Sequence, residues 1–340
     1  MAVDWFTLPL DLLSFIVLKL ETFEDFINFS AVCRCWNHAS SSVKHQWSAK
    51  PNVPWLLLAE NNKDNPICVR KIFNLSNNKC YNLNLPETFG ARCWGSSYGW
   101  VAMIIDRNFD VQLFNPITKA QIPFPSLRPL YDGDESDEDD ESYRHWFLSS
   151  FADRLIVLKV PQNNNYEFVV LVIHEYYQSL AFARQGDQSW TPIFVKSRVK
   201  MVDIVGMDDK VFGFDYDDED DSDYDDKDDS GYFSRTNYFE VYRFKSEDES
   251  WEQVEDLGEV ALVVGGNSSM CVSVTHANGL QRNCIYFTDD LTMCWKTSVR
   301  KPGGHDTGVF DLKNGNIRRF YEGGDMHSSF APPTLFIPQF

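Results

Sequence analysis

The chain has 340 residues, 43% apolar and 15% aromatic, with a formal charge of −19. That length allows about two domains with ample core, and the excess of Phe, Tyr and Trp leans toward strands. The acidity argues against nucleic acid, whose phosphates it would repel, yet it is local: residues 132–141 (DGDESDEDDE) hold eight acids, residues 215–229 (DYDDEDDSDYDDKDD) eleven acids and one lysine, and the remainder carries −1.

Residues 5 to 47 read as helical. In LPLDLLSFIVLKL, residues 8–20, only Asp11, Ser14 and Lys19 carry polar side chains. Pro9 suits a first helical turn, with Thr7 or Leu8 at the cap and Asp11 near the positive end of the dipole. The helix runs to about Leu20, where Glu21 and Thr22 break the apolar run. Beyond them Phe26, Phe29, Val32, Cys33 and Trp36 recur at spacings of three and four, which fits two further short helices joined near Ser30. A secretory signal is not expected: residues 1–7 lack Lys and Arg, and the three polar residues interrupt the apolar stretch. Nowhere do enough apolar residues run together for a membrane helix. No membrane partner is therefore expected, and the expected compartment is the cytosol or nucleus.

Past Pro51 the texture changes to short β-branched and aromatic runs separated by Gly, Asn, Asp and Pro. The boundary divides a helical domain, 1–50, from a β domain, 51–340, with the segments at 132–141 and 215–229 read as disordered acidic insertions. A weak repeat of strand, polar turn and strand is visible in FNLSNNKCYNLNLP (73–86), LFNPITKAQIPFP (113–125), AFARQGDQSWTPI (181–193), VYRFKSEDESWEQV (241–254) and VFDLKNGNIRRF (309–320). The fold class is α+β by domain. A β-propeller of roughly five to six blades is favoured for the second part, with a pair of β-sandwiches as the alternative.

No catalytic, cofactor or metal site announces itself. Counting from Asp215, the sixth position of a calcium loop needs glycine and is Asp220. Ser136 and Ser222, followed by acids, suit an acid-directed kinase. The eight cysteines form no C-x-x-C pair, and most are expected as small interior hydrophobes; the seven histidines lack metal-site spacing. Trp94, Tyr98, Trp100 and Trp146 are candidates for a binding face, weighed against packing between blades. The first helix forces a sharper choice. It is apolar on nearly all sides, so it must be buried on nearly all sides, and two short helices can cover one flank only. The other flank meets either the β domain or a separate protein.

LPLDLLSFIVLKL followed by FEDFINFSAVCRCW resembles the F-box, through Leu8-Pro9, Asp11-Leu12-Leu13, Ile16, Leu20, Asp25-Phe26 and Val32-Cys33-Arg34 with Trp36. The rest is similar to plant F-box proteins with a propeller-like, kelch-like domain of unknown function, in GSSYGWVAMIID, ALVVGGNSSMCVSV, CIYFTDD, GVFDLKNGNI and PPTLFIP. The resemblance implies a non-catalytic substrate receptor of a Skp-cullin-F-box ubiquitin ligase. It implies docking on a Skp-type adaptor through Leu8, Pro9, Leu12, Leu13, Ile16, Leu20, Val32, Cys33 and Trp36, and through it on cullin and RING subunits. The β domain would recruit a protein substrate whose identity and binding residues are not legible. Phe15 and Val17 make the helix tail bulkier than the usual pattern. Two other classes stay open: an F-box interaction protein acting outside a ligase, and a propeller enzyme whose helices pack only on its own β domain.

Overall fold

A computed structural model describes residues 5, 8–48, 53–58, 69–96, 98–105, 108–131, 151–162, 165–174, 179–193, 204–207, 210–219, 235–245, 250–265, 269–274, 279–288, 307–319 and 333–340. The acidic segment 132–141, residues 220–229, Ser136, Ser222 and Trp146 lie outside these.

Three helices open the chain. α1 (Leu10–Lys19) has Pro9, not Thr7 or Leu8, at its N-cap, since the ring fixes φ at −57° while ψ of 146° keeps the residue outside the helix. α2 (Phe23–Ala31) is capped by Thr22, whose hydroxyl accepts from the Asp25 amide at 3.1 Å and donates to the Asp25 carboxylate at 2.7 Å. α3 (Arg34–Ser48) is a full 15 residues, longer than expected. The joint falls at Val32-Cys33 and not near Ser30, which is helical and whose Oγ lies 2.8 Å from both Phe26 O and Ser40 Oγ.

The rest is a β-propeller built of five described sheets. In chain order the strands are β1 (Trp55–Leu57), β2 (Val69–Asn74) and β3 (Lys79–Asn84), then β4 (Ala91–Gly95), β5 (Val101–Ile105), β6 (Asp110–Phe114) and β7 (Gln121–Ser126). β8 (Ala152–Gln162), β9 (Asn165–His174), β10 (Ser179–Arg184) and β11 (Thr191–Ile193) form the third sheet, and β12 (Ile204–Met207), β13 (Lys210–Glu219), β14 (Arg235–Lys245) and β15 (Ser250–Gln253) the fourth. β16 (Val260–Val264), β17 (Met270–Ser273), β18 (Cys284–Phe287), β19 (Gly308–Asp311) and β20 (Ile317–Arg318) form the fifth. β21 (Thr334–Phe336) then returns to pair with β1, so the first sheet is closed by the end of the described chain. The second, third and fourth sheets are antiparallel meanders; the fifth departs from them, with β16 and β18 parallel.

Each of the five sequence repeats is the outer hairpin of a different sheet. A phenylalanine stands on the next-to-outermost strand every time, in the pairs Phe73↔Cys80, Phe114↔Gln121, Phe182↔Thr191, Phe244↔Trp251 and Phe310↔Ile317. Three of these are followed by Asn or Asp, whose side-chain oxygen accepts from the backbone two residues on: Asn74 from Ser76, Asn115 from Ile117, Asp311 from Lys313. That bond sets the turn, which is why the repeat reads as apolar strand, polar turn, strand.

Two expectations are corrected. Residues 215–219 of the second acidic segment are not an insertion: they continue β13, paired from Asp215↔Glu240 to Glu219↔Arg235. Strand pairing needs backbone groups, not apolar side chains, so the charge run hides a strand. Nor are most described cysteines interior. Cys93 and Cys284 are buried, Cys33 and Cys271 half-buried, and Cys35 and Cys80 exposed; none of these six is in a disulfide.

The helices sit on the first and second sheets and share one core with them. Leu13, Val17, Phe23, Phe26, Phe29, Ala39 and Trp47 join Trp55, Leu57 and Ile72 of the first sheet and Val101, Met103 and Phe114 of the second. Aromatic rings fill the junction: Phe23 stands edge-on to Trp55 at 5.6 Å and Phe26 lies 4.5 Å from Trp47, whose indole N–H donates to Leu20 O at 2.9 Å. A polar clasp flanks it, with Glu24 of α2 accepting from Tyr81 Oη at 2.6 Å and from Asn77 Nδ2 at 2.5 Å.

Candidate functional site

The packing of α1 settles which of its sides is spoken for. Leu13 and Val17, one turn apart, are 1% and 0% exposed and face the shared core. Leu8, Ile16 and Leu20 are half-buried along its margin. Pro9 is exposed, and Leu12 and Phe15 are 52% and 60% exposed. At the α2–α3 joint Val32 is 50% exposed, while Cys33 and Trp36 are half-buried. The Trp36 ring lies 4.3 Å from Phe29 and so belongs to the edge of the core, but its indole nitrogen is covered and finds no hydrogen-bond acceptor.

Eight of the nine predicted docking residues are thus exposed or marginal, on α1 and the α2–α3 joint. The ninth, Leu13, is corrected: it is core. In a run of two leucines only one can point outward, and the i, i+4 pairing with Val17 takes Leu13 inward. Leu10, Phe15 and Ile27, outside that set, are exposed as well. Their signal was in the sequence, since a helix apolar all round with one buried stripe must leave apolar residues on the opposite stripe. Phe15 is the most exposed of the three. Lys19 stands 5.2 Å over its ring, partly screening it from water.

Of the alternatives left open for this helix, the structure shows the first for one flank only. One flank meets the β domain through Trp47 and its neighbours; the other meets solvent. Covering the exposed parts of Leu12, Phe15 and Val32 would contribute roughly 2–5 kcal/mol, an incentive for association.

The three described candidate aromatics of the propeller serve packing. Trp94 is buried between the second and third sheets, with the Arg92 guanidinium 4.6 Å from its ring centroid, and Arg92 Nη1 donates to Ala152 O at 3.2 Å. Tyr98 and Trp100 pack partly buried on the same cluster, Trp100 edge-on to Phe168 at 5.4 Å. A pocket of about 390 Å³ lies between the first and fifth sheets, lined by Phe73, Leu75, Tyr286, Val309, Arg318 and Arg319 among others. Burial pushes the Tyr286 phenol and the nearby Cys284 thiol above their ordinary ranges, which keeps both protonated at neutral pH. Among the described residues no helix is long and apolar enough to cross a membrane.

Known families divide the chain along the same line. A model of the F-box domain matches residues 5–47, and the KIB1-4 beta-propeller model matches 72–223 and 229–311. Three Arabidopsis thaliana proteins illustrate the similarity. F-box protein At2g17036 is 22% identical over 98% of this chain and 95% of its own length. F-box/kelch-repeat protein KIB1 is 23% identical over 93% and 86%. F-box protein At3g56470 is 32% identical, over only 37% of this chain and 32% of its own.

Proposed function

Because this chain belongs to the KIB1-4 beta-propeller family and carries an F-box domain ahead of the propeller, we propose that it is the substrate-receptor subunit of a Skp-cullin-F-box ubiquitin ligase. One observation carries the reading: α1 spends one apolar stripe on the core that the helices share with the first two sheets and leaves a second, around Leu12 and Phe15, uncovered. A Skp-type adaptor is the partner for that stripe, with Leu8, Pro9, Leu12, Ile16, Leu20, Val32, Cys33 and Trp36 as its contacts and Leu10, Phe15 and Ile27 as additions. Cullin and RING subunits join through the adaptor.

In this role the protein makes and breaks no bonds. The propeller holds a protein substrate, the helices hold the adaptor, and a substrate lysine is kept near a ubiquitin carrier at raised effective concentration. The cytosol or nucleus is the proposed site of action. Each of the five described sheets is read as one blade; the five Phe-bearing outer hairpins support that reading.

Co-purification of the full chain with a Skp-type adaptor tests the proposal. Leu12→Asp places a charge where the interface forms, and affinity should fall at least about a hundredfold, about 2.7 kcal/mol. Thermal stability should stay within ~2 °C, because the side chain is exposed. Wild type that fails to bind, or Leu12→Asp that binds equally well, overturns it.

A further inference from the structure

The strand that closes the propeller does not stop at the first sheet. After β21 the chain runs along the second sheet, with Ile337 N donating to Ser96 O at 2.9 Å and Asn115 Nδ2 donating to Gln339 O at 2.9 Å. Two glycines make this path possible. A Cβ on Gly95 would run into the Leu335 carbonyl, and Gly99, at φ +81°, lies under Gln339 so closely that any side chain would collide with it. The path ends by delivering Phe340 into the helices. Its ring lies 4.8 Å from Phe23, 5.0 Å from Phe26 and 6.4 Å from Trp47, with Lys44 Nζ 4.3 Å from its ring centroid.

Phe340 therefore touches helices at the opposite end of the sequence, carried there by the strand that completes the ring. A side chain in that place restricts rotation of α2 and α3 against the first two sheets. The ring contact of Phe23 on Trp55 and the hydrogen bond of Glu24 with Tyr81 tie the helices to the first sheet; the Phe340 contact adds a tie from a path hydrogen-bonded to the second. Two separated anchors fix an angle where one permits a hinge.

We infer that Phe340 is a positioning residue: by wedging against Phe23, Phe26 and Trp47 it sets the angle between the adaptor-docking helices and the propeller, and so decides which lysines a bound ubiquitin carrier reaches. The inference rests on the receptor reading above. Domains in one chain move relative to each other unless the interface is large and apolar, and Phe340, with Phe336 of β21, joins this interface through the strand that closes the first sheet.

The test uses the full chain with spin labels at the exposed Cys35 and at Gln188→Cys in the turn between β10 and β11 of the third sheet, the other reactive cysteines being replaced by serine, and measures the distance distribution between them. Phe340→Ala should broaden it by roughly a factor of two, while adaptor affinity stays within about threefold of wild type. In reconstituted reactions with adaptor, cullin and RING, the lysines of this chain that become ubiquitinated should spread from a restricted set to a wider one. Phe340→Leu, which keeps most of the apolar volume, should restore both readouts most of the way, and serves where Phe340→Ala does not fold. A distribution and lysine pattern unchanged in both variants overturns the inference. Wild type that does not bind the adaptor overturns the receptor reading instead, so the two failures are distinguishable. Rescue by leucine marks a positioning wedge; loss of adaptor binding in step with broadening marks plain unfolding of the helices and also overturns it.

Discussion

Leu12 and Leu13 are neighbours of identical chemistry with opposite fates. Leu13 is 1% exposed, in a core shared by three helices and two sheets, and Leu12 is 52% exposed one position earlier. The comparison teaches that apolar composition in such a helix carries two messages at once, folding and association, and that only the phase of the helix separates them. The two flanks should therefore come apart under mutation. The largest effect belongs to the buried flank: Trp47→Ala removes the ring that Phe23, Phe26 and Phe340 pack against and should lower unfolding free energy by ~3–5 kcal/mol. Chemical denaturation measures it. If the loss stays below ~1 kcal/mol, the helices and propeller do not share a core in solution.

The polar clasp breaks the same comparison more gently. Tyr81 Oη donates to Glu24 across the junction and accepts from Asn77 Nδ2, so Tyr81→Phe deletes both bonds, the first of them to a carboxylate, and should cost about 1.5–3 kcal/mol, without touching the exposed flank. Burial, and the bond to Glu24, push the Tyr81 phenol above its ordinary 10.0. The folded state thus favours the neutral phenol, and the unfolded chain loses that proton first. The stabilisation is complete below pH ~10 and is lost as pH rises through the raised value. Urea midpoints should fall from about pH 10 upward in wild type and fall less in Tyr81→Phe. Equal slopes in the two proteins would remove Tyr81 as the titrating group, although burial pushes Tyr286 up as well and a residual slope is expected.

How much of this was legible depended on whether the pattern was local. The outer hairpins were readable because their strands are adjacent in sequence and an Asn or Asp caps the turn between them. Helix phase was half readable: spacing placed the apolar residues, but choosing Leu13 for the core over Leu12 needed Trp47 and the β sheets, which are far away in the chain. The same distance hid β21, whose three residues pair with β1 from the opposite end, and Phe340 behind it. Strand β13 was hidden for another reason, since Asp215, Asp217 and Asp218 have side chains that signal solvent while their backbones pair with β14. The Val32-Cys33 joint was misplaced to Ser30 because a serine mid-helix resembles a cap until its hydroxyl is seen beside Phe26 O and Ser40 Oγ.

α2, like α1, serves both flanks. Phe23, Phe26 and Phe29 face the core, while Ile27 is exposed and Val32, at its C-cap, lies half uncovered. Thr22 caps this helix through the reciprocal bonds with Asp25. Thr22→Ala leaves the Asp25 amide without that acceptor and frees the first turn to fray. The expected loss is about 1 kcal/mol in unfolding free energy, the smallest of the three. Unlike Trp47→Ala or Tyr81→Phe, it should also move adaptor affinity at once, by roughly threefold, because fraying loosens Ile27 with Phe23. Calorimetric titration alongside denaturation reads both quantities from one preparation. Stability that drops while affinity holds would show that the exposed flank lies on α1 and the joint alone, and would strike Ile27 from the docking surface; affinity that falls in step with stability keeps it there.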